Sequence, residues 1–205
     1  MTKPILRDFP ESFETARLVI RAPMPGDGAE MCAAVTESLA ELRPWMQWAQ
    51  DTPTPEGYEE NAREARAGFL LRKDLRYQLY LRSAPGTLVG SSGFHGIDWD
   101  AGRFEIGYWL RTRFAGQGYM TEAVRGLASF AFRELDANRL EIWCDSRNER
   151  SAEVARRVGF VHEGMFIGHS RAIDGTMATD LCFRMLCSEA EAALAGDPAV
   201  VTVAR

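Results

Sequence analysis

Two kinds of hydrophobic periodicity divide the chain. Apolar and polar residues alternate in residues 75–81 and again in RFEIGYWL, residues 103–110, which predicts β-strands. In the second of these strands, Glu105 and Gly107 share the face opposite the apolar set. From Met120 onward the apolar positions instead recur every three to four residues, which predicts a long amphipathic helix.

The same patterns predict an α/β fold. Further strands are expected at residues 17–23, 87–97, 139–144, from 160 and at 177–186. Asp27 followed by Glu30 has the spacing of a capping box, and Thr54-Pro55 is a favourable helix start. The resulting order βααβββαβαββ indicates helices packed on a mixed central sheet. We expect residues 1–15 to form an N-terminal arm, 16–187 a single domain and 188–205 a C-terminal tail.

Composition narrows the class of protein. With 205 residues, 46% apolar and 26% charged, the chain has the make-up of one globular domain. Its 24 basic and 29 acidic residues give a net charge of −5, so we expect no direct nucleic-acid partner. No uncharged stretch is long enough to span a membrane. The four cysteines form no C-x-x-C pair, so we expect reduced thiols, no bound metal and a cytoplasmic location.

A glycine-rich loop, RFAGQG (113–118), precedes the long helix. Gly116 and Gly118 can adopt backbone angles closed to other residues, and the first amides of a helix are free to bind an anion. Arg113 adds a forked donor. The P-loop pattern is absent, and Thr121 stands where a dinucleotide fingerprint requires glycine. A loop that only turns the chain is the alternative, but the flanking strand and helix favour a phosphate site.

Five segments carry a resemblance to a known family: TARLVIR (15–21), LRPWMQW (42–48), FEIGYWL (104–110), RFAGQGYMTEAV (113–124) and NERSAEVARRVGF (148–160). In this order they resemble the GCN5-related N-acetyltransferase (GNAT) superfamily, and within it the Rim-type ribosomal-protein N-terminal acetyltransferases. The resemblance covers residues 14–187. It implies helices on both faces of a sheet that is splayed between its fourth and fifth predicted strands, here 103–110 and 139–145, with acetyl-CoA in the opening.

The resemblance also implies the contacts to acetyl-CoA. The pantetheine arm would bond to the backbone of three residues of one strand: Tyr108, Trp109 and Leu110. The pyrophosphate would rest on the amides of the glycine loop beside Arg113, namely Phe114, Ala115, Gly116, Gln117, Gly118 and Tyr119. Asn148 would bond the amide backbone of the cofactor.

Two residues are candidates for the chemistry of acetyl transfer. Glu105 is the candidate base for the amine, with a surface Glu paired to Arg103 or to an Arg of a neighbouring strand as the alternative. Ser151 is the candidate hydrogen-bond donor or proton relay to the departing thiolate. Many relatives carry a tyrosine acid four residues later, where this chain has Ala155. The alternative for this segment is structural, with Asn148 as the helix N-cap and Ser151 as its third residue.

The acceptor side is less defined. Trp45 and Trp48 are candidates for the wall of an acceptor pocket, with core packing as the alternative. His95, in the strand before Glu105, is a candidate acceptor contact. At pH 7 an α-amine is roughly 14% neutral and a lysine side chain about 0.04%, so an α-amine needs only a modest base.

We therefore expect an enzyme that moves an acetyl group from acetyl-CoA to the N-terminal α-amine of a protein or peptide. An enzyme of the same fold that acetylates a small amine, such as an amino acid, a polyamine or an antibiotic, is one alternative. A non-catalytic acetyl-CoA sensor is another. The chain could also form a homodimer.

Overall fold

The computed structural model describes residues 3–194. The strands are β1 (Ser12–Glu14), β2 (Leu18–Arg21), β3 (Leu75–Leu81), β4 (Leu88–Asp98), β5 (Arg103–Leu110), β6 (Arg139–Asp145), β7 (Val161–Arg171) and β8 (Met177–Leu186). The helices are α1 (Gly28–Leu42), α2 (Pro55–Leu70), α3 (Tyr119–Glu134), α4 (Glu149–Val158) and α5 (Cys187–Leu194). None of these helices is long and apolar enough to cross a membrane.

All eight strands belong to one sheet, in the order β1-β2-β3-β4-β5-β6-β8-β7. Each neighbouring pair is antiparallel except β5 and β6, which run parallel. Parallel neighbours need a crossover connection, and α3 supplies it. The predicted α/β fold with a mixed central sheet is confirmed.

The two faces of the sheet are covered by different helices. On one face α3, α4 and α5 bury the larger core around Tyr77, Phe94 and Phe104. Their rings meet edge to face, with centroids 6.2 Å apart for the first two and 5.8 Å apart for the last two. On the other face α1 and α2 pack against Tyr80 and Leu88. Helices therefore cover both faces, as the resemblance implies.

The sheet begins earlier than predicted. Ser12–Glu14 pairs with β2 as an edge strand, with Phe13 opposite Ile20. Phe13 is fully buried and stacks on Phe130 of α3 at a centroid distance of 4.6 Å. The expected N-terminal arm over residues 1–15 is therefore too long, because an aromatic side chain near its end completes the core.

The expected C-terminal tail also needs correction. Cys187–Leu194 forms α5, and Ala190 of this helix is buried. A Cβ at Gly159, the residue that ends α4, would lie only 3.1 Å from Cβ of Ala193, so α5 packs closely against this turn. The first part of the predicted tail at 188–205 thus belongs to the domain, and residues 195–205 lie outside the described residues.

Asp27 precedes α1 but does not cap it. Its carboxylate instead accepts hydrogen bonds from Nη2 of Arg21 at 2.5 Å, from the backbone N of Met24 at 2.8 Å and from the hydroxyl of Tyr80 at 3.1 Å. The predicted capping box with Glu30 is wrong because these three donors, two of them side chains of β2 and β3, take the carboxylate. Burial opposes ionisation of Asp27, but the Arg21 hydrogen bonds prevail and lower its pKa.

Asp27→Asn should lower the free energy of unfolding by about 2 kcal/mol at pH 7, because Arg21 loses a buried charged partner. A carboxyl whose pKa is depressed by folding stabilises above its unfolded pKa, and that contribution is lost as the pH falls through the folded pKa. The difference from wild type should therefore shrink below about pH 4, the ordinary range of Asp.

Urea denaturation at several pH values measures this effect. Glu153→Gln is the matched control, because Glu153 is an exposed partner of Arg157 and its removal should cost less than about 0.5 kcal/mol. Equal losses for the two variants would contradict the assignment.

Candidate active site

The single parallel pair of strands separates after three residue pairs. Arg103, Phe104 and Glu105 pair with Arg139, Leu140 and Glu141. Beyond Glu105, β5 continues to Leu110 alongside β4 alone, and β6 continues to Asp145 alongside β8 alone. The sheet therefore opens into a V between 106–110 and 142–145, and the predicted splay is confirmed.

A cavity of about 750 Å³ lies in and beside this opening. One end is formed by β5, by β6 and by Asn148 and Ser151 at the start of α4. The other end extends beneath the connection between α1 and α2, where its lining includes Trp45, Trp48, Tyr58, Asn61, Arg76 and His95. This volume is in the range of small-molecule sites.

The glycine loop presents free backbone donors at the start of α3. Gly116 (φ +74°) and Gly118 (φ +79°) both adopt the left-handed conformation that favours glycine. The backbone N–H groups of residues 116–121 have no hydrogen-bond acceptor in the part of the chain that the structure describes. They lie at the positive end of the α3 dipole, so the loop offers the donors that suit a phosphate.

Two arginines flank this loop. The predicted contact Arg113 is held by Glu37, with Nη2 and Oε2 2.6 Å apart. Burial raises the pKa of Glu37, but hydrogen bonds from Arg113 and Arg111 outweigh it and lower the pKa. Arg17 was missed by sequence reasoning, although it lies in the matching segment TARLVIR. Its Nη1 donates to the carbonyl of Gln117 at 2.9 Å, and its guanidinium lies 4.2 Å from the centre of the Tyr119 ring.

Ser151 meets Tyr108 across the opening. The Ser151 hydroxyl donates to the Tyr108 hydroxyl at 3.1 Å, and the Tyr108 hydroxyl donates to the Ser151 carbonyl at 2.9 Å. The side chain of Asn148 caps α4 by accepting from the backbone N of Ser151 at 3.2 Å, as the structural alternative predicts. Burial raises the pKa of Tyr108. The predicted catalytic role of Ser151 remains a prediction.

Glu105 lies at the point where the V closes. The alternative of an ion pair with Arg103 is not formed, since Arg103 approaches Glu141 instead, at 4.0 Å. Within residues 3–194 no hydrogen bond or ion pair engages the Glu105 carboxylate. Burial raises its pKa, the nearby His95 lowers it and Glu141 raises it. Glu105 is half-buried and is not part of the cavity lining.

The predicted acceptor residues do face the cavity. Trp45 and Trp48 are 37% and 45% exposed, so the alternative of core packing is wrong for both. Trp48 contacts Trp109 of β5 with ring centroids 5.9 Å apart. His95 also lines the cavity, and its Nδ1 lies 2.5 Å from Oδ2 of Asp74. Asp74 was missed because it lies 21 residues earlier, at a turn with no recognisable pattern.

A second aromatic group on the far wall was also missed. Trp143 of β6 stacks on His169 with ring centroids 5.2 Å apart, and Nδ1 of His169 lies 3.0 Å from Oδ2 of Asp180. Trp143 and Asp180 line the cavity. The alternation of apolar and polar residues in β8 does not by itself place Asp180 in the cavity. That placement also requires the register between β6 and β8, which the sequence does not show. No cluster of three or more His, Cys, Asp or Glu in the described chain could hold a metal ion.

The open sheet and the glycine-rich helix start are together features of an acyltransferase. Residues 17–161 match the family model described as an acetyltransferase (GNAT) domain, and the chain belongs to this family. The family recognised from the five sequence segments is therefore confirmed.

Named relatives agree with the Rim-type resemblance. The chain is 30% identical over 148 residues to the "Putative ribosomal N-acetyltransferase YdaF" of Bacillus subtilis (strain 168), covering 72% of this chain and 79% of that protein. It is 28% identical over 127 residues to the ribosomal-protein-serine acetyltransferase of Escherichia coli (strain K12), covering 62% and 71%. The structure of RimL, a ribosomal L7/L12 alpha-N-protein acetyltransferase in complex with coenzyme A, has the same fold. Its TM-score is 0.77 at 23% identity, covering 84% of this chain and 95% of that one.

Cys144 provides a test of the environment within the V. Burial raises the pKa of this cavity thiol to about 11, although the neighbouring Ser151 hydroxyl lowers it. At pH 8 only roughly 0.1% should be thiolate, the form that reacts. Iodoacetamide should therefore label Cys144 slowly at pH 8, and the rate should keep rising beyond pH 10.

Peptide mapping by mass spectrometry resolves each cysteine. The exposed Cys187 in the same chain is the internal reference. Labelling of Cys144 as fast as Cys187 at pH 8 would contradict the assigned environment.

Proposed function

We propose that this protein uses acetyl-CoA to acetylate the α-amino group of a protein or peptide N-terminus. The opening between β5 and β6 is the observation that carries the proposal. On that side of β5 the backbone groups of residues 106–110 have no strand partner among residues 3–194. A free strand edge can pair with an extended ligand that carries amide groups, and the pantetheine arm of acetyl-CoA is such a ligand.

The residues present fit acetyl-CoA. Tyr108, Trp109 and Leu110 would bind the arm through their backbone, and the amides of 116–119 would receive the pyrophosphate. The predicted amide contacts of Phe114 and Ala115 are not available, because these N–H groups donate to the carbonyls of Arg111 and Thr112 at 3.0 Å each. Asn148 uses Oδ1 to cap α4, which leaves its amide N–H groups free to donate to a carbonyl of the arm. When bound, acetyl-CoA supplies an activated acetyl group and a thiolate leaving group.

The arginines beside the glycine loop would add charge rather than close contacts. Arg113 is held by Glu37, so its guanidinium acts at longer range. Arg17 also donates to Gln117 directly behind the loop, and its guanidinium is paired with Glu122, with Nε and Oε2 2.6 Å apart.

Ser151 and Tyr108 would act on the sulfur as a pair. Their hydroxyl groups are already hydrogen-bonded to each other, so a rotation of the Ser151 hydroxyl would transfer a hydrogen bond to the sulfur. Glu105 would assist removal of the amine proton. Because its carboxylate is outside the cavity lining, it would do so through a water molecule or a neighbouring side chain.

The acceptor end of the cavity suits a cationic amine beside apolar groups. Trp45 and Trp48 form an aromatic wall, and Asp51 and Asp180 contribute negative charge. An α-amine is already partly neutral at pH 7, so its deprotonation does not require a carboxylate in direct contact with it. This suits a cavity whose lining does not include Glu105. The names of the relatives from Bacillus subtilis and Escherichia coli also support an acceptor of the ribosomal-protein type.

Binding and transfer can be measured separately. At about one hundred times its Kd, acetyl-CoA should raise the Tm by about 5–10 °C, whereas ATP and NAD should not. Intact-mass spectrometry with peptides bearing different N-terminal residues should detect the gain of one acetyl group, with release of CoA. Transfer only to small amines would indicate the small-amine alternative. Binding without transfer would indicate a sensor, and stabilisation by ATP or NAD alone would contradict the proposal.

Gly118→Ala should weaken acetyl-CoA binding about tenfold. Alanine at φ +79° is strained by about 1 kcal/mol, and relief of that strain would turn the loop amides away from the phosphate. Gly86→Ala is the matched control, because Gly86 has φ +87° in the turn between β3 and β4, with open space around it. Both variants should lose similar stability in urea, and isothermal titration calorimetry should find altered binding in Gly118→Ala alone. Unchanged binding in both would exclude the loop as the phosphate site.

A further inference from the structure

Asp74, His95 and Glu105 form a row across three neighbouring strands. His95 of β4 lies directly opposite Glu105 of β5 in the antiparallel register. Asp74 immediately precedes Leu75, whose partner in β4 is Phe94, so Asp74 is opposite His95. Opposite residues in an antiparallel pair project from the same face, so the three side chains lie side by side there.

Asp74 fixes the orientation of the His95 ring. Nδ1 of His95 lies 2.5 Å from Oδ2 of Asp74. An ionised carboxylate can only accept hydrogen bonds, so Nδ1 carries the proton of this bond, and in the neutral imidazole Nε2 then keeps the lone pair. Oδ1 of Asp74 is buried and has no partner among residues 3–194, so His95 is the group on which this carboxylate acts. A carboxylate on one ring nitrogen is the arrangement that makes the other a base.

Gly107 clears the space that the ring occupies. A Cβ at this position would lie 3.0 Å from Cδ2 and 3.3 Å from Nε2 of His95. The imidazole therefore extends over Gly107, with its Nε2 edge at the place where β5 leaves β6. Both residues line the cavity, and Nε2 has no hydrogen-bond partner within the described residues. The free nitrogen thus faces the space between the acceptor end and the V.

Glu105 is less well placed to meet an amine itself. Its Oε2 lies near Gly96, 3.6 Å from the position of a Cβ there, and the carboxylate is not part of the cavity lining. His95 stands beside it and does reach the cavity. The charged groups around His95 are Asp74 at the start of β3, Glu105 on β5 and, farther along the strands, Arg76, Arg103 and Glu141.

We propose that His95 accepts the proton of the acceptor amine at Nε2, and that Asp74 and Glu105 act through it as positioning residues. This inference rests on the proposed function and assigns its proton-transfer step. Asp74 holds the tautomer, and both carboxylates stabilise the imidazolium that forms.

The proton balance of the step is simple. The acceptor enters as an ammonium ion and first loses one proton to Nε2 of His95, which frees the lone pair of the nitrogen. As the nitrogen then forms its bond to the acetyl carbon, it loses its second proton to solvent. The carbon–sulfur bond breaks with its electron pair going to sulfur. The thiolate takes a proton from solvent, and His95 returns its proton to solvent before the next turnover. No oxidant, reductant or further reactant is required.

His95→Gln should lower kcat by about a hundredfold or more while the Kd for acetyl-CoA changes less than about twofold. The probe is a heptapeptide with an N-terminal serine. The same peptide with an aminooxy group in place of its α-amine is neutral at the assay pH and needs no base to remove a first proton. With the aminooxy peptide, the loss of kcat caused by His95→Gln should be at least tenfold smaller. A purely structural defect would lower kcat equally with both acceptors.

Further variants separate the roles. His162→Gln is the matched control, because His162 lies exposed on β7 away from the cavity, and it should retain wild-type kcat. Asp74→Asn and Glu105→Gln should each lower kcat by about tenfold or less, a much smaller loss than that of His95→Gln.

Two results would overturn the assignment. One is a His95→Gln enzyme with kcat within threefold of wild type. The other is a His95→Gln defect that is equally large with the serine heptapeptide and with its aminooxy analogue. That result would overturn the assignment even if Glu105→Gln abolished turnover. Absence of turnover by the wild type would instead count against the proposed function, while acetyl-CoA binding tests the cofactor site independently.

Discussion

Every feature of the site depends on where hydrogen bonding between β5 and β6 stops. Backbone groups in a sheet are normally paired, so two strands that part midway need other partners. Here β5 stays with β4 and β6 with β8, which leaves only the inner edges free. Glu105 and Glu141 face each other at the last pair, and like charges at that point oppose further closure. The opening is thus a property of strand pairing.

The same opening is braced by side chains that also belong to the site. The Tyr108 hydroxyl bridges from β5 to Ser151 at the start of α4, the helix that follows β6. This bridge links the two arms of the V, so the spacing of the arms and the position of the Ser151 hydroxyl are set by one interaction. Arg139 holds Glu141 at 2.6 Å near the apex, which offsets part of the repulsion there.

Local patterns were sufficient for some elements and insufficient for others. Thr54 caps α2 by accepting from the backbone N of Gly57 at 3.1 Å, as its sequence predicts, because both partners lie within one helical turn. Asp27 has an equally good capping pattern but meets tertiary donors that no local rule contains. The Asp74–His95 contact depends on the β3–β4 register, which periodicity does not specify. The V itself was accessible only through the family resemblance, since alternation is the same in paired and unpaired strands.

The contact between Arg17 and the glycine loop has a consequence for how the protein matures. Arg17 and Gln117 are 100 positions apart, so their hydrogen bond forms only when the chain before β2 and the loop before α3 have come together in the folded domain. A chain that contains the loop sequence but has not assembled its sheet lacks this hydrogen bond from Arg17. Affinity for a phosphate-bearing ligand therefore reports completed folding, and such a ligand would stabilise finished molecules in preference to nascent ones.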